Sequence, residues 1–174
     1  MELLIGCGND IRKKVFFKEI PKDWVELVTL DWDESLPRCG SPNHVVHDLN
    51  NLPYPFDDNT FDEIHGLEVL EHCGRQGDWR FFFDQFYEFW RILKPSGYFV
   101  ATVPMWDSKW AWGDPGHTRV INEGSLIFLQ QSEYAKQIGK TAMADYRPWY
   151  KGDFELSAMS EQGDTFAFVL RAIK

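Results

Sequence analysis

The sequence predicts an α/β fold built on a mostly parallel sheet, and three observations support this prediction. An apolar run at Glu2–Ile5 leads into the turn Gly6-Cys7-Gly8, as a buried strand does where it ends at a ligand crevice. Two later apolar runs each end in an aspartate, Asp31 and Asp48. One long segment, Asp78–Leu93, has helical periodicity and lies between strand-like runs. Strands that alternate with helical segments are typical of a parallel sheet.

Composition limits the class of protein. The chain has 174 residues, which predicts one domain over residues 1–174 with a sizeable core. Its net charge of −9 argues against duplex nucleic acid as a partner, because phosphate contacts need clustered Lys and Arg. The three cysteines form no Cys-x-x-Cys pair, and no apolar run approaches the length of a membrane span. We therefore expect a cytoplasmic protein that does not contact a membrane.

The first strand and its turn open the predicted site. Gly6 and Gly8 lack Cβ atoms, so the backbone there can adopt unusual dihedral angles and approach a ligand closely. The following segment, Asp10–Glu19, fits a helical stripe only in part and is soon followed by Pro21. A helix and an irregular segment are equally compatible with it.

The second strand is predicted at Trp24–Leu30 and ends at Asp31. Asp31 lies 23 positions after Gly8, close to the offset of about 20 at which an acidic residue binds ribose hydroxyls. The alternative interpretation is a turn aspartate in the sequence Asp31-Trp32-Asp33-Glu34. Residues Ser35–Asn43 contain two prolines and a glycine, which predicts a loop.

A third short strand is predicted at His44–Leu49, with Asp48 near its end. His44 and His47 would point to opposite faces of that strand, so we expect no metal site there. The fourth strand, Phe61–Leu67, leads into Glu68-Val69-Leu70-Glu71-His72. Acids and a histidine at a strand end are suited to acid–base chemistry, although a polar helix start explains them equally well. Their order differs from that of metalloprotease motifs, and no metal is expected anywhere in the chain.

The clearest helix is Asp78–Leu93, with Asp78 as a suitable N-cap and an aromatic stripe that we assign to the core. A fifth strand follows at Tyr98–Val103. Further on, residues Asn122–Gly139 predict one or two helices. A terminal hairpin is expected from Asp153–Gln162 and Thr165–Lys174.

The segment after the fifth strand is rich in tryptophan, with Trp106, Trp110 and Trp112 followed by His117. Loops at this edge of a sheet commonly carry function. Tryptophan rings stack on flat rings or cations, so we assign the three tryptophans to binding a small planar acceptor. The alternative is that they only plug an open side of the fold. His117 and His72 are the candidate general bases, because imidazole titrates near neutral pH.

Together these motifs resemble the class I S-adenosylmethionine-dependent methyltransferases, especially the small ubiquinone-biosynthesis-like group. The resemblance covers roughly residues 2–104. It rests on five segments: Leu3–Gly8, Thr29–Asp31, His47–Leu49, Leu52–His72 and Arg91–Pro104. It implies a Rossmann-like seven-stranded sheet of order 3-2-1-4-5-7-6 with helices on both faces, parallel except for the seventh strand of the C-terminal hairpin. The helices that usually precede the first strand are missing.

The resemblance also assigns residues to the cofactor S-adenosyl-L-methionine. By this correspondence, Gly6, Cys7 and Gly8 would line the methionine portion of the cofactor, and Asp31 and Trp32 would contact the ribose. Asp48 and Leu49 would hold the adenine, and Leu67 and Glu68 would lie beside the sulfonium. Glu68 joins His72 and His117 as a candidate catalytic residue. The family pattern is broken at Leu4, where an acidic residue is common, and at Asp10, where a third glycine is usual.

The expected function is methyl transfer to a small or planar acceptor that the motifs do not identify. A catalytically silent, cofactor-binding partner subunit is the alternative. A Rossmann-type oxidoreductase is less favoured, because Ile11 stands where its fingerprint has a third glycine. Without the preceding helices the cofactor side is open, so we expect a second copy of the chain or the Trp106–His117 loop to close it.

Overall fold

The computed structural model describes residues 1–14, 17–18, 20–33 and 43–174. The loop predicted at Ser35–Asn43 therefore lies outside the described residues except for Asn43, and so does Cys39. Among the described residues no helix has the length and apolar content needed to cross a bilayer.

A seven-stranded sheet forms the centre of the molecule, in the order β3-β2-β1-β4-β5-β7-β6. Its strands are β1 (Glu2–Ile5), β2 (Leu27–Asp31), β3 (His44–Val46), β4 (Phe61–Leu67), β5 (Leu93–Pro104), β6 (Phe154–Gln162) and β7 (Thr165–Ala172). β1 pairs in parallel with β2 and β4, and β4 pairs in parallel with β5. β7 runs antiparallel to both β5 and β6. The predicted strand order and the antiparallel C-terminal hairpin are thereby confirmed.

The long helix α1 (Trp79–Ile92) supplies much of the core on one face of the sheet. The Asp78 side chain caps it by accepting a hydrogen bond from the Phe81 N–H. Its buried side chains include Phe86 and Phe89, and the Phe89 ring stacks on Phe99 of β5 with ring centroids 4.5 Å apart. Burying each such ring contributes about 2–3 kcal/mol. The helix and its core assignment agree with the prediction.

Three short helices follow β5: α2 (Lys109–Gly113), α3 (Glu123–Ile127) and α4 (Gln131–Gln137). A single 3-10 turn covers Leu70–His72. The segment Asn122–Gly139 thus forms two helices, one of the two outcomes that its sequence allows.

The segment after β1 is irregular in its described part, residues 10–14 and 17–18. Tertiary contacts determine its path. The Ile11 carbonyl accepts a hydrogen bond from the Trp24 indole N–H at 2.7 Å, and the Lys13 ammonium forms a buried ion pair with Glu63 at 2.6 Å. β2 begins only at Leu27, so Trp24 precedes it and does not belong to it.

Candidate active site

The site begins where β1 ends in the glycine turn. Gly6 has a φ of 60°, and a Cβ atom there would lie only 2.2 Å from a methyl carbon of Val69. Gly8 also has a positive φ, of 49°, but faces open space. The turn therefore needs glycine at the first position for two reasons, and at the second position only for its backbone conformation.

Asp31, at the end of β2, holds the glycine turn in place. Its side chain is buried, and its Oδ2 atom accepts a hydrogen bond from the Gly8 N–H at 3.0 Å. Its Oδ1 atom accepts a second bond from the Asp33 N–H at 3.3 Å. Because a carboxylate has further lone pairs, Asp31 can also accept bonds from a ligand's hydroxyl groups.

A cavity of about 810 Å³ opens beside these two strand ends. Seven of the residues predicted to bind the cofactor line it: Gly6, Gly8, Asp31, Trp32, Asp48, Leu49 and Glu68. It is large enough for a nucleoside-sized ligand, since small-molecule sites typically measure about 300–1,000 Å³.

Two predicted cofactor residues, Cys7 and Leu67, are not among those that line the cavity. The Cys7 side chain is buried with Leu4, and Leu67 packs against that pair from the end of β4.

Seven further residues line the cavity, and the sequence did not identify them as cofactor ligands: Asn9, Asp33, His47, Asn50, Val69, His72 and Cys73. His72 was predicted as a catalytic residue; the other six lie close in sequence to predicted site residues, and proximity to a strand end was the only signal available for them. Asn50 also has a structural role, because its Oδ1 atom accepts a hydrogen bond from the Gly74 N–H at 2.7 Å.

Glu68 follows β4 with a φ of 52°, which is an uncommon conformation for a residue with a side chain. Its backbone N–H donates to the Thr102 carbonyl of β5 at 2.9 Å, and this bond helps to fix the turn. Strained residues of this kind cluster at functional sites. Glu68 occupies the edge between the large cavity and a smaller one.

The smaller cavity measures about 280 Å³. It is lined by residues that follow β4, by residues from the end of β5 to the loop after α2, and by the β6–β7 turn. These residues are Glu68, Glu71, His72, Pro104, Trp110, Asp114, His117, Asp164 and Thr165. Glu68 and His72 line both cavities, so the two are adjacent. Trp110 is the one predicted acceptor-binding tryptophan in this lining. Trp106 and Trp112 lie outside it and are 57% and 61% exposed.

The two candidate histidines meet in the smaller cavity, with ring centroids 4.6 Å apart in an edge-to-face arrangement. His72 Nδ1 lies 3.1 Å from the Gly116 carbonyl, and His117 Nδ1 lies 2.7 Å from the Trp110 carbonyl. A carbonyl oxygen can only accept, so each Nδ1 atom carries the proton. The Nε2 atom of each neutral ring therefore presents a lone pair.

Glu71 lies beneath the histidines and is only 2% exposed. One carboxylate oxygen is 4.0 Å from His117 Nε2, and the other has no hydrogen-bond partner within the described part of the chain. Burial raises the pKa of Glu71 to about 8. It was noted in sequence as one of two acids after β4, but its burial could not be read there.

A sequence model described as a methyltransferase domain matches residues 3–101, which is more than half of the chain. The chain belongs to this methyltransferase family. No curated protein matches it in sequence.

Solved structures agree with this family at the level of the fold. A chain of the complex between the Haloferax volcanii Trm112 methyltransferase activator and a putative methyltransferase is similar with a TM-score of 0.64 and 14% identity, over 99% of this chain and 82% of that one. An S-adenosylmethionine-dependent methyltransferase of Archaeoglobus fulgidus is similar with a TM-score of 0.57 and 14% identity, over 98% of this chain and 85% of that one. Phosphoethanolamine N-methyltransferase 1 of Haemonchus contortus, in complex with phosphoethanolamine and S-adenosylhomocysteine, is similar with a TM-score of 0.56 and 11% identity. The similarity covers 99% of this chain and 38% of that one.

This methyltransferase therefore has the class I fold and uses S-adenosylmethionine as its cofactor. The residues around the large cavity fit that cofactor chemically. Asp31 offers carboxylate oxygens suited to ribose hydroxyls, and Gly8 leaves room for close approach to the backbone. The narrower resemblance to the ubiquinone-biosynthesis-like group stays a prediction.

Proposed function

We propose that this methyltransferase modifies a small planar molecule that binds in the smaller cavity. The observation that carries the proposal is the adjacency of the two cavities at Glu68 and His72. A cofactor in the larger cavity and an acceptor in the smaller one would meet at this boundary. S-adenosylmethionine supplies an activated methyl group on its sulfonium, so the protein contributes chiefly positioning and exclusion of water.

Around the cofactor, each contributing residue has a distinct task. Asp31 would accept hydrogen bonds from the ribose hydroxyls, and Asp48 with the Leu49 backbone would bind the adenine. The turn from Gly6 to Gly8 would pass beside the methionine portion. This assignment is supported by the lining of the cavity, where the side chains or backbones of these residues are found together.

The acceptor's charge follows from the lining of the smaller cavity. Four carboxyl-bearing residues line it, namely Glu68, Glu71, Asp114 and Asp164, and the described lining contains no lysine or arginine. An anionic acceptor would be repelled, whereas a neutral or cationic one would not. The Lys109 ammonium lies over one face of the Trp110 ring, 4.7 Å from the ring centroid, so a flat acceptor ring would stack on the other face. A planar amine or phenol satisfies both requirements.

An acceptor that must lose a proton needs a base within hydrogen-bond reach. The Nε2 lone pairs of His72 and His117 are suited to this task, because both Nδ1 atoms already donate to backbone carbonyls. Glu68, at the boundary of the two cavities, is the third candidate catalytic group.

Calorimetry with S-adenosylmethionine, S-adenosylhomocysteine and NAD tests the cofactor half of the proposal. We expect binding of the first two ligands and none of NAD. Turnover of labelled S-adenosylmethionine over a panel of planar amines and phenols then tests the acceptor half. Cofactor binding without turnover on any acceptor, including a cell extract, would favour a catalytically silent subunit.

The acceptor site itself is tested by Trp110→Ala, with Trp112→Ala as the matched control on the same helix. Loss of a stacking surface worth about 1 kcal/mol should raise the acceptor KM about fivefold for Trp110→Ala and leave it unchanged for Trp112→Ala. Melting temperature and cofactor affinity are measured alongside. A lowered melting temperature with an unaltered acceptor KM would show that the tryptophan is only a plug.

A further inference from the structure

We propose that Glu71, His72 and His117 form a binding site for a first-row transition-metal dication in the smaller cavity, with Zn²⁺ as the representative ion. This differs from the expectation of no metal that the sequence alone gives. The proposal concerns the same cavity as the proposed function, but it does not require methyl transfer to take place.

The three residues come from two separate parts of the chain. Glu71 and His72 belong to the 3-10 turn after β4, and His117 belongs to the loop after α2. One ligand atom from each lies within 4.8 Å of the other two. In a tetrahedral site with bonds of about 2.0–2.1 Å, ligand atoms are roughly 3.3 Å apart. Small side-chain rotations would therefore close the group around an ion.

The backbone orients both imidazoles as metal-bound histidines are oriented. Each Nδ1 atom donates to a backbone carbonyl, that of Gly116 for His72 and that of Trp110 for His117. This is the outer-shell arrangement that fixes the tautomer and ring orientation of a ligating histidine and leaves Nε2 for the metal. A Cβ atom at Gly116 would lie 3.2 Å from the His72 ring, so the ring is closely confined on that side.

An independent observation is the unpartnered oxygen of Glu71. This residue is almost completely buried, yet its Oε2 atom accepts no hydrogen bond from any described residue. A buried acceptor without a donor is costly, by about 1–3 kcal/mol. Its other oxygen is 4.0 Å from the Nε2 atom of His117, which is too far for a direct hydrogen bond. A cation between them would satisfy both groups.

The donor set indicates which class of cation would bind. Two imidazole nitrogens and one carboxylate favour zinc and its neighbours, whereas Mg²⁺ and Ca²⁺ prefer sites made wholly of oxygen. Three protein ligands leave at least one coordination position open. That position would face the acceptor cavity, where an acceptor hydroxyl or amine could occupy it. In the metal-bound form the histidine Nε2 atoms are ligands, and the cation would lower the pKa of the bound acceptor group.

Equilibrium dialysis of the metal-free 174-residue chain against Zn²⁺ at pH 7.5 tests the proposal, with bound zinc measured by elemental analysis. We expect one tightly bound equivalent per chain, and a dissociation constant at least about tenfold weaker in His117→Gln and Glu71→Gln. His44→Gln is the matched control, since His44 lies on the β2–β3 ladder and bonds Thr29. It should bind zinc like the wild type, and Mg²⁺ should not compete.

Circular dichroism and the affinity for S-adenosylmethionine establish that each variant is folded. Wild-type chain that binds no zinc equivalent, or folded His117→Gln that binds zinc as tightly as the wild type, would overturn the proposal. Cofactor binding is measured on the same metal-free protein, so a failure of the proposed function would appear there and not in the zinc measurement.

Discussion

At the scale of single residues, the site depends on a few side chains that serve structure and ligand together. Asp31 bonds the N–H of Gly8 and also lines the large cavity. Gly6 passes so close to Val69 that a side chain has no room. The conformation of the glycine turn is thus set by contacts with β2 and with the residues after β4. The effects of substitutions at Asp31 and at Gly6 can therefore be measured separately.

Asp31→Ala should weaken S-adenosylmethionine binding by about tenfold or more. The carboxylate would form charge-assisted hydrogen bonds to the ribose, each worth about 1–3 kcal/mol, and alanine forms none. Calorimetry gives the affinity, and the melting temperature reports any loosening of the Gly8 turn. Unchanged affinity in a folded variant would remove Asp31 from the site.

Gly6→Ala and Gly8→Ala should differ in stability although both positions have a positive φ. The backbone conformation alone costs about 1–2 kcal/mol for alanine. Gly6→Ala adds a clash with Val69, which raises the total cost above about 2 kcal/mol. Urea unfolding of the two variants measures the difference. Equal costs would mean that Val69 moves aside without penalty.

At the scale of elements, β4 combines a structural and a functional end. Its last residues lead to the catalytic candidates, while Glu63 and His65 nearer its start form a buried charged cluster with Lys13. Glu63 accepts from His65 Nε2 at 2.8 Å, and the Nδ1 atom of His65 has no partner among the described residues. This cluster ties the segment after β1 to the middle of the sheet.

Burial lowers the pKa of His65 below its usual 6.5, and the hydrogen bond to Glu63 and the nearby charge of Glu2 only partly oppose this. The pKa of Glu63 is lowered too, since bonds from His65 and Lys13 outweigh its burial. Both groups have depressed pKa values, so the stability they contribute is complete above the unfolded-state values and is lost as the pH falls. The loss from His65 begins below about pH 6.5, and that from Glu63 below about 4.5.

The contribution of His65 to the free energy of unfolding should therefore fall between pH 7.5 and pH 5.0, so the wild type should lose stability over this range relative to His65→Gln. The raised pKa of Glu71 stabilises the folded chain as the pH falls, but it does so equally in both proteins. Protonation of His65 places a second N–H in a buried site without an acceptor, and glutamine does not titrate. Urea unfolding of the wild type and His65→Gln at the two pH values measures the effect. An identical pH dependence of stability in His65→Gln and the wild type would contradict this origin.

At the scale of the whole molecule, the cofactor side carries exposed aromatic surface. Trp32 is 74% exposed beside the large cavity, and Trp106 and Trp112 are exposed near the smaller one. Exposed clusters of large apolar side chains often mark a surface that becomes covered. A second copy of the chain and the Trp106–His117 loop, folded over the large cavity beside Trp32, are the two candidates for closing the cofactor site.

Addition of S-adenosylmethionine should protect the amides of the Trp106–His117 loop from hydrogen exchange, or shift the chain to a dimer in light scattering. Either result follows from closing an open site over a bound ligand, which also raises the melting temperature by mass action. Amides in the centre of α1 serve as the control and should not change. A monomer with no added protection of the loop would exclude both forms of closure.

Much of this fold follows from local patterns along the chain. β4 begins and ends where its apolar pattern does, and α1 lies within one residue of its predicted bounds, because Asp78 caps it and Pro95 follows it closely. The segment after β1 could not be assigned in the same way. Its path depends on contacts with Trp24 and Glu63, which are distant in sequence.

By itself the sequence determined two features of the protein. Its motifs, which resemble those of a known family, predicted the strand order, and they also identified the glycines Gly6 and Gly8 and the aspartates Asp31 and Asp48 that line the large cavity. Only the tertiary structure showed that Trp110 lines the smaller cavity while Trp106 and Trp112 do not, and that Glu71 is buried beneath His72 and His117. The physical reason is that motifs record local backbone geometry at strand ends. Burial and the approach of loops separated by more than forty residues depend on how the whole chain packs.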